Sequence, residues 1–367
     1  MTMTTGFRPL CVVERVRESD IITSFHLEPV EADGWRDFEP GQFLVFRLPG
    51  YDGAPVLRNY SVSSDPNTRG RYRVTIKREP APEREGGAGF GSGHFHDRLA
   101  VGDVIEAEGP RGKFTLDRAS LRPVLLLSGG VGLTPMVSML HALSATGERR
   151  VHFVHACENG AVQALGPEVR EAATRRPGIH VHVRYRNANA DDWCRNGHDS
   201  TGTIDRALLQ SLLPLDDYDV YLCGPTPFMQ AMHSTLRGLG VAKERIAYEF
   251  FGEASPLDDA AVAPITAPVV KTTALPEPAE SEAGDAVTFA ASGKQAAWTG
   301  GAASLLDFAE AQGLDPAFSC RAGICSSCST RLVSGEVEYF EDPLDDPEDG
   351  HILLCCSRPK GAITLEL

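Results

Sequence analysis

The chain has 367 residues, a length that predicts two or three domains each able to bury its own core, and 42% of them are hydrophobic, an ordinary globular proportion. Its formal net charge of −15 argues against nucleic acid as a partner, because phosphate binding needs a basic face. The start MTMTTGFRPL lacks the apolar core of a secretion signal, and no stretch approaches the roughly 20 apolar residues of a membrane span. The nine cysteines are therefore expected in a reducing cytoplasm, with no membrane partner.

Residues 1–116 carry short alternating runs separated by Pro and Gly, among them GQFLVFRLPG, RNYSVSS and RYRVTIKRE, and this pattern predicts an antiparallel β-barrel domain. Arg58, Asn59, Tyr60 and Ser61 fall where one predicted strand ends and the next begins. This RNYS segment resembles the RxYS flavin motif of the ferredoxin reductase superfamily, and RNYSVSSDPNTRGRYRVTIKRE resembles the reductase module of flavohaemoglobins. The resemblance implies that Arg58 pairs with flavin phosphate, that the Tyr60 ring packs on the isoalloxazine and that the Ser61 hydroxyl approaches the reactive N5. Asn59 and Lys77 count among the implied cofactor-binding residues. The residue types suit these tasks: a guanidinium fork matches phosphate, an aromatic face matches a flat heterocycle, and a short hydroxyl donates to a ring nitrogen. Phe43, in PGQF, occupies a position that helps hold the flavin in flavohaemoglobins, where it is Tyr; ordinary core is the other reading.

Gly89-Phe90-Gly91-Ser92 comes next, just before the predicted helix HFHDRLA. Ser92 reads as the helix N-cap, and the free amides there would form an anion site. By resemblance, Gly91 and Ser92 hold the flavin pyrophosphate; a Gly-rich loop is the plain alternative. GPRGKF follows the FAD-type pattern rather than the PRNxF of phthalate dioxygenase reductase-like proteins, so FAD is expected over FMN.

From residue 117 to 252 apolar runs such as PVLLLSGG, RRVHFVHA, IHVHVRY and YDVYLCG alternate with helical segments, the pattern of a doubly wound α/β domain. Gly129, Gly130, Val131, Gly132, Leu133 and Thr134 form a glycine turn between a strand and a helix whose first turn takes Pro135. The turn is not the GxGxxG of ordinary dehydrogenases. In the family it resembles, GGVGLT binds the pyridine nucleotide with Thr134 near the nicotinamide, and the Cys223-Gly224-Pro225 element sets its Cys beside the nicotinamide C4. Taken alone, Cys223 reads as a small buried hydrophobe. VHACENG resembles the NADH-preferring flavohaemoglobin segment, whereas Arg184 and Arg186 would suit the extra phosphate of NADPH; NADH is expected. YEFFG resembles the flavohaemoglobin terminus, which implies that Phe251 covers the flavin face and moves aside for nicotinamide. Ser61, Thr134, Cys223 and Phe251 are thus the candidate catalytic residues. His152, His155, His180 and His182 read as structural, and Cys11, Cys157 and Cys194 have no partner pattern.

Residues 253–284 are rich in Ala, Pro and acids and read as a tether, leaving 285–367 as a third domain, whose CRAGICSSC segment at 320–328 resembles the cluster loop of plant-type ferredoxins and so implies their α+β β-grasp fold. It carries Cys320-x4-Cys325-x2-Cys328 and a distant Cys355, the ligand spacing of a plant-type 2Fe-2S cluster, with Gly323 inside the loop for a close or left-handed turn. A zinc site or disulfides are the alternatives, but zinc sites usually pair two short CxxC units. Cys355 and Cys356 compete as fourth ligand; plant-type ferredoxins end in Cys, three residues and Pro, and Cys355 with Pro359 resembles that ending. Acids between Glu341 and Asp349 form a solvated loop or steer a basic partner. Together the parts predict an NADH-dependent flavin and iron–sulfur reductase that passes on single electrons, and its resemblance to similarly ordered reductases implies a terminal oxygenase as acceptor, either a Rieske non-haem iron enzyme or a diiron one. The alternatives are a cytochrome P450 or hybrid-cluster protein as acceptor, and a non-catalytic electron-transfer subunit of a larger dehydrogenase.

Overall fold

The computed structural model describes residues 6–50, 55–80, 90–145, 148–195, 197–251, 285–314, 316, 318, 323, 328–341, 343 and 346–367. The expected tether, Gly89, Cys320 and Cys325 lie outside the described residues. The chain divides into two compact units, Met1–Phe251 and Gly252–Leu367.

The first unit begins with strands β1 (Arg8–Arg17), β2 (Ile22–Pro29), β3 (Phe43–Pro49), β4 (Pro55–Ser61) and β5 (Tyr72–Lys77), then helix α1 (Phe90–Arg98) and strand β6 (Val104–Arg111). The strands pair antiparallel in the order β4-β3-β6-β1-β2-β5. Just past β4, Val62 bridges Val74 of β5, and the Ser63 amide donates to the Arg73 carbonyl at 2.8 Å, so the two edge strands meet and the sheet curls into a barrel. Helix α1 sends Phe95 into the core, where it meets Phe25, Phe46 and Tyr60 edge-on at centroid distances of 5.2, 5.1 and 5.0 Å.

The same unit continues through β7 (Val124–Gly129), α2 (Leu133–Ala145), β8 (Val151–Cys157), α3 (Gly166–Arg175), β9 (Ile179–Tyr185), α4 (Ala190–Arg195), β10 (Ser200–Thr201), α5 (Arg206–Leu212), β11 (Asp219–Gly224), α6 (Thr226–Gly238) and β12 (Ile246–Phe250). These six strands are parallel, in the order β10-β9-β8-β7-β11-β12. Every residue of β7 and of β11 is buried, as central parallel strands require. The chain leaves β7 toward β8 on one side and later returns to β11 on the other. This reversal opens a crevice at the carboxyl ends of β7 and β11.

Helix α6 buries one stripe, Met229, Met232, His233 and Leu236, but α2 is buried on nearly all sides because it lies between the sheet and the barrel. Ile22 of β2 belongs to the core that α2 organises, and a Cβ on Gly41 would come within 2.7 Å of Met139 Cε.

The second unit contains β13 (Asp285–Phe289), β14 (Lys294–Trp298), α7 (Leu305–Ala311), β15 (Ser329–Ser334), β16 (Val337–Tyr339), β17 (His351–Leu353), β18 (Ser357–Pro359) and β19 (Ile363–Leu365). Its main sheet runs β14-β13-β19-β15-β17, with β13 and β19 parallel, and β16 pairs with β18. Ser304 caps α7 by accepting the Asp307 amide at 3.2 Å, and Leu305, Leu306, Phe308 and Ala309 bury its inner face on Val287, Phe289 and the cysteine segment. Among the described residues no helix is long and apolar enough to cross a membrane.

Candidate functional site

The first half-site is built on the end of β4. Strand periodicity turns Arg58 and Tyr60 to one side and Asn59 and Ser61 to the other. Arg58 and Tyr60 meet the start of α1, where a Cβ on Gly91 would fall 2.7 Å from both Arg58 Cγ and the Tyr60 hydroxyl. Residues distant in the sequence are thus brought together, and only glycine fits between them. Burial lowers the Arg58 pKa and pushes the Tyr60 hydroxyl upward, so an anion beside Arg58 would face a poorly hydrated cation. Ser61 is 5% exposed, and its Oγ is buried with no hydrogen-bond partner among the described residues. A buried hydroxyl left in that condition is costly unless a ligand engages it.

The other expected flavin residues differ in what they do. Ser92 is the third residue of α1 and not its N-cap: the helix begins at Phe90, which anchors its first turn by packing into the barrel core. Its hydroxyl accepts the Glu79 amide at 3.1 Å. Lys77 is paired with Glu79 at 3.0 Å, and Asn59 is exposed. Phe43 is 1% exposed and lies under Gly112, whose missing Cβ would be 2.8 Å from the ring.

The second half-site is the crevice between β7 and β11. A Cβ on Gly132 would stand 2.4 Å from the Cys223 carbonyl oxygen and 2.7 Å from the Gly224 nitrogen, so the GGVGLT turn and the CGP turn interlock backbone to backbone. Gly129 and Gly224 both make room for the ring of Phe228, a residue that sequence reasoning passed over. Gly130 alone faces open space, at φ +54°. Two glycines of the turn therefore serve internal packing, and one supplies the left-handed bend. Thr134 is 2% exposed and donates to the Val131 carbonyl at 3.1 Å, closing the turn.

Cys223 is fully buried, and burial, followed by the neighbouring charge of Glu249 on β12, raises its pKa well above the ordinary range. It stays a neutral thiol, unsuited to nucleophilic work. Phe251, 42% exposed, follows β12. Arg184 donates to Ser200 Oγ at 3.2 Å, and the Asn187 amide donates to the Glu158 carbonyl at 2.9 Å.

The two half-sites adjoin. Strand β5, which bridges Val62 just after the RNYS segment, lies against the Gly130–Gly132 turn. Sequence reasoning missed the ion pair at this junction, Arg73 of β5 with Glu168 of α3 at 2.7 Å. Burial by itself would raise the Glu168 carboxyl, but hydrogen bonds from His141 and Arg73 outweigh it and hold the pKa at about 2.

In the second unit Gly323 adopts φ +67°, as its place in a tight ligand loop predicts, and its amide donates to Cys355 Sγ at 3.3 Å. Such a bond favours a thiolate. Cys328 is 3% exposed, and its carbonyl accepts the Leu354 amide at 3.3 Å, joining the loop to the Cys355 segment. Cys356 Sγ turns instead to the Leu353 carbonyl at 3.7 Å and is fully buried. The described part of this loop fits a cluster held by Cys355.

Comparison with known proteins agrees with this layout. Residues 9–116 match the oxidoreductase FAD-binding domain family, 126–234 the oxidoreductase NAD-binding domain family, and 288–360 the 2Fe-2S iron-sulfur cluster binding domain family. The chain is 42% identical over 250 residues to the flavohemoprotein of Bordetella pertussis (strain Tohama I), an alignment that covers 68% of this chain and 61% of that protein. It is 34% identical to the crystal structure of the flavohem-like FAD/NAD-binding domain of nitric oxide dioxygenase from Vibrio cholerae O1 biovar El Tor, with a TM-score of 0.58 and coverage of 66% of this chain and 98% of that one. Phthalate dioxygenase reductase shares the fold of the whole chain, at 24% identity and TM-score 0.56, covering 99% of this chain and 98% of that one. Fold and half-sites define a pyridine-nucleotide-dependent flavin oxidoreductase with a 2Fe-2S domain at its carboxyl end. More narrowly, the chain belongs to the ferredoxin–NADP reductase superfamily, with a flavohaemoglobin-like reductase module joined to a ferredoxin domain. It spans 61% of the flavohemoprotein that it matches.

Proposed function

We propose that this chain is the NADH-dependent reductase of a two-component system and supplies electrons one at a time to a separate terminal oxygenase, either Rieske non-haem iron or diiron. The carrying observation is the junction at which β5 lies against the Gly130–Gly132 turn while bridging Val62, the residue that follows the RNYS strand. A nucleotide crevice at that turn would stand close to the buried Ser61 hydroxyl, which has no hydrogen-bond partner among the described residues. When bound, the flavin converts the paired electrons of a nicotinamide hydride into the single electrons that an iron–sulfur centre accepts.

The chain's own residues then bind and orient. Arg58 and the α1 start at Gly91 and Ser92 hold the flavin phosphates, Tyr60 backs the ring, and Ser61 donates a hydrogen bond at its edge. Gly129 to Thr134 and the Cys223-Gly224-Pro225 turn shape the nicotinamide pocket, where a neutral Cys223 excludes water. Phe251 shields the site until nucleotide arrives. Cys320, Cys325, Cys328 and Cys355 ligate the cluster. FAD is favoured over FMN and NADH over NADPH, and the thiolate ligands suit the cytoplasm. The domain order of phthalate dioxygenase reductase supports an oxygenase as acceptor. A type IV self-sufficient cytochrome P450 monooxygenase shares the fold over 98% of this chain, which makes a P450 the second reading.

The test is anaerobic purification followed by spectroscopy. Flavin and iron–sulfur absorbance should both be present and should bleach on addition of NADH. A colourless protein, or zinc bound in place of iron, would overturn the reading. Reconstitution with a purified Rieske oxygenase, a diiron hydroxylase or a P450, scored by NADH-dependent product, then identifies the acceptor.

A further inference from the structure

The surface at which the two halves of the first unit meet is mostly apolar: Ile22, Met139 and Gly41 pack there, and Asp20 and Ala161 add one backbone hydrogen bond of 2.9 Å. Apolar contacts are non-directional and do not fix how one half is rotated against the other. Among the described residues two side-chain ion pairs also cross it: Arg118 with Glu39 at 3.2 Å, which is half exposed, and Arg73 with Glu168, which is largely buried and held in more than one direction. Arg73 is 9% exposed and donates through Nη1 and Nη2 to the two carboxylate oxygens of Glu168, at 2.7 and 2.8 Å. The same guanidinium donates through Nε to Ser63 Oγ at 3.1 Å and through Nη2 to the Ser63 carbonyl at 2.5 Å. Ser63 is fully buried and is tied to Thr75, and Thr75 to Ser24, by hydroxyl contacts of 2.8 Å each. On the other side, His141 Nε2 meets Glu168 Oε1 at 2.5 Å.

Each end of this chain of contacts leads to a half-site. Ser63 lies two residues beyond Ser61, about 7 Å along an extended strand. His141 lies two helical turns beyond Thr134 on the same face of α2, about 10 Å along the helix. A buried ion pair is seldom the most stable way to fill such a place, since apolar residues of similar size do as well or better, but a bidentate pair fixes an angle that apolar residues cannot.

We propose that Arg73, Glu168 and His141 are positioning residues, a clamp that sets the Ser61 strand against the Thr134 helix and so fixes the distance between the flavin and nucleotide half-sites. The inference rests on the functional reading given above for Ser61 and Thr134. Hydride donor and acceptor must approach to about 3 to 3.5 Å, and a misplacement of about 1 Å costs on the order of a hundredfold in rate. A clamp of this kind acts on the rate and not on nucleotide affinity, because each half-site remains whole.

The full chain, carrying flavin and cluster, is compared with Glu168→Gln and Glu168→Asp. Three quantities are read: the stopped-flow rate at which NADH bleaches the flavin, the equilibrium Kd for NAD+, and hydrogen exchange on β5 and α3. Glu168→Gln should slow bleaching about tenfold, with Kd changed less than about twofold and exchange faster on both elements. Glu168→Asp, which keeps the charge on a shorter arm, should recover part of the rate. An unchanged bleaching rate in a variant that merely melts earlier overturns the clamp. Should Glu168→Gln fail to fold, His141→Gln retains the Arg73 pair and should slow bleaching about threefold, and no slowing there is equally fatal. A wild-type chain that binds no flavin sinks the functional reading instead, and the exchange comparison then decides separately whether the carboxylate ties the two halves.

Discussion

Replacing Gly132 by Ala tests the nucleotide crevice at its tightest point. The added Cβ would lie 2.4 Å from the Cys223 carbonyl oxygen, 2.6 Å from the Cys223 carbonyl carbon and 2.7 Å from the Gly224 nitrogen, all backbone atoms at the end of a fully buried strand. No side chain can rotate to relieve the clash. The turn and the strand end must separate by about 1 Å to restore ordinary contact, and overpacking of this kind costs about 1 to 3 kcal/mol. Much of that strain falls on the geometry that receives the nucleotide, and each 1.4 kcal/mol is about tenfold in affinity, so NAD+ binding should weaken by about ten- to a hundredfold. Flavin content should be unchanged, since β4 and α1 are untouched. Gly130→Ala is the control: its Cβ meets nothing within 4 Å, and only the left-handed backbone at φ +54° is penalised, by about 1 to 2 kcal/mol. Nucleotide titration of the flavin-loaded proteins decides the matter. If Gly132→Ala binds NAD+ as the parent does, or weakens it less than Gly130→Ala, the interlocked turns do not form the nucleotide site.

Ser61→Ala should retain flavin but lower the rate of NADH-driven bleaching by about three- to tenfold, the effect of one hydrogen bond of about 1 kcal/mol; an unchanged rate would show that the buried hydroxyl has another purpose. Cys355→Ser should abolish the iron–sulfur signal in electron paramagnetic resonance, whereas Cys356→Ala should keep it and lose on the order of 1 kcal/mol of stability; the opposite pattern would exchange their roles. Glu168 makes a pH prediction. Its folded pKa of about 2 lies below the ordinary 4.5, so its contribution is complete above pH 4.5 and disappears as pH falls toward 2. The shift corresponds to about 3 kcal/mol, and Glu168→Gln should flatten the acid limb of denaturant-measured stability by that order, with no effect at pH 7 on the slope against pH.

Much of this protein is legible in its sequence because local chemistry and global fold agree. Alternation marks β5, short apolar runs between Pro and Gly mark β3 and β4, longer apolar runs mark β7 and β11, and cysteine spacing marks the ferredoxin unit. The start of α1 was misread because Ser92 is a good capping residue by type, while the helix in fact starts at Phe90, whose ring the barrel core takes up. The larger omission is what covers the polar face of β5. Tyr72, Val74 and Ile76 alternate with Arg73, Thr75 and Lys77, which reads as a strand with one face in water.

In the fold both faces are covered: Arg73, 9% exposed, is paired with Glu168 of the nucleotide half, and Thr75, 3% exposed, is bonded to Ser24 and Ser63 of the barrel. Periodicity reports which residues share a face, but not what lies across from it. A polar face satisfied by another domain has the same pattern as one satisfied by solvent, and the two differ only in whether the partners are fixed. Here Ser63, Thr75 and Glu168 are fixed partners, so the face that looks most like surface in the sequence is the one that joins the two half-sites.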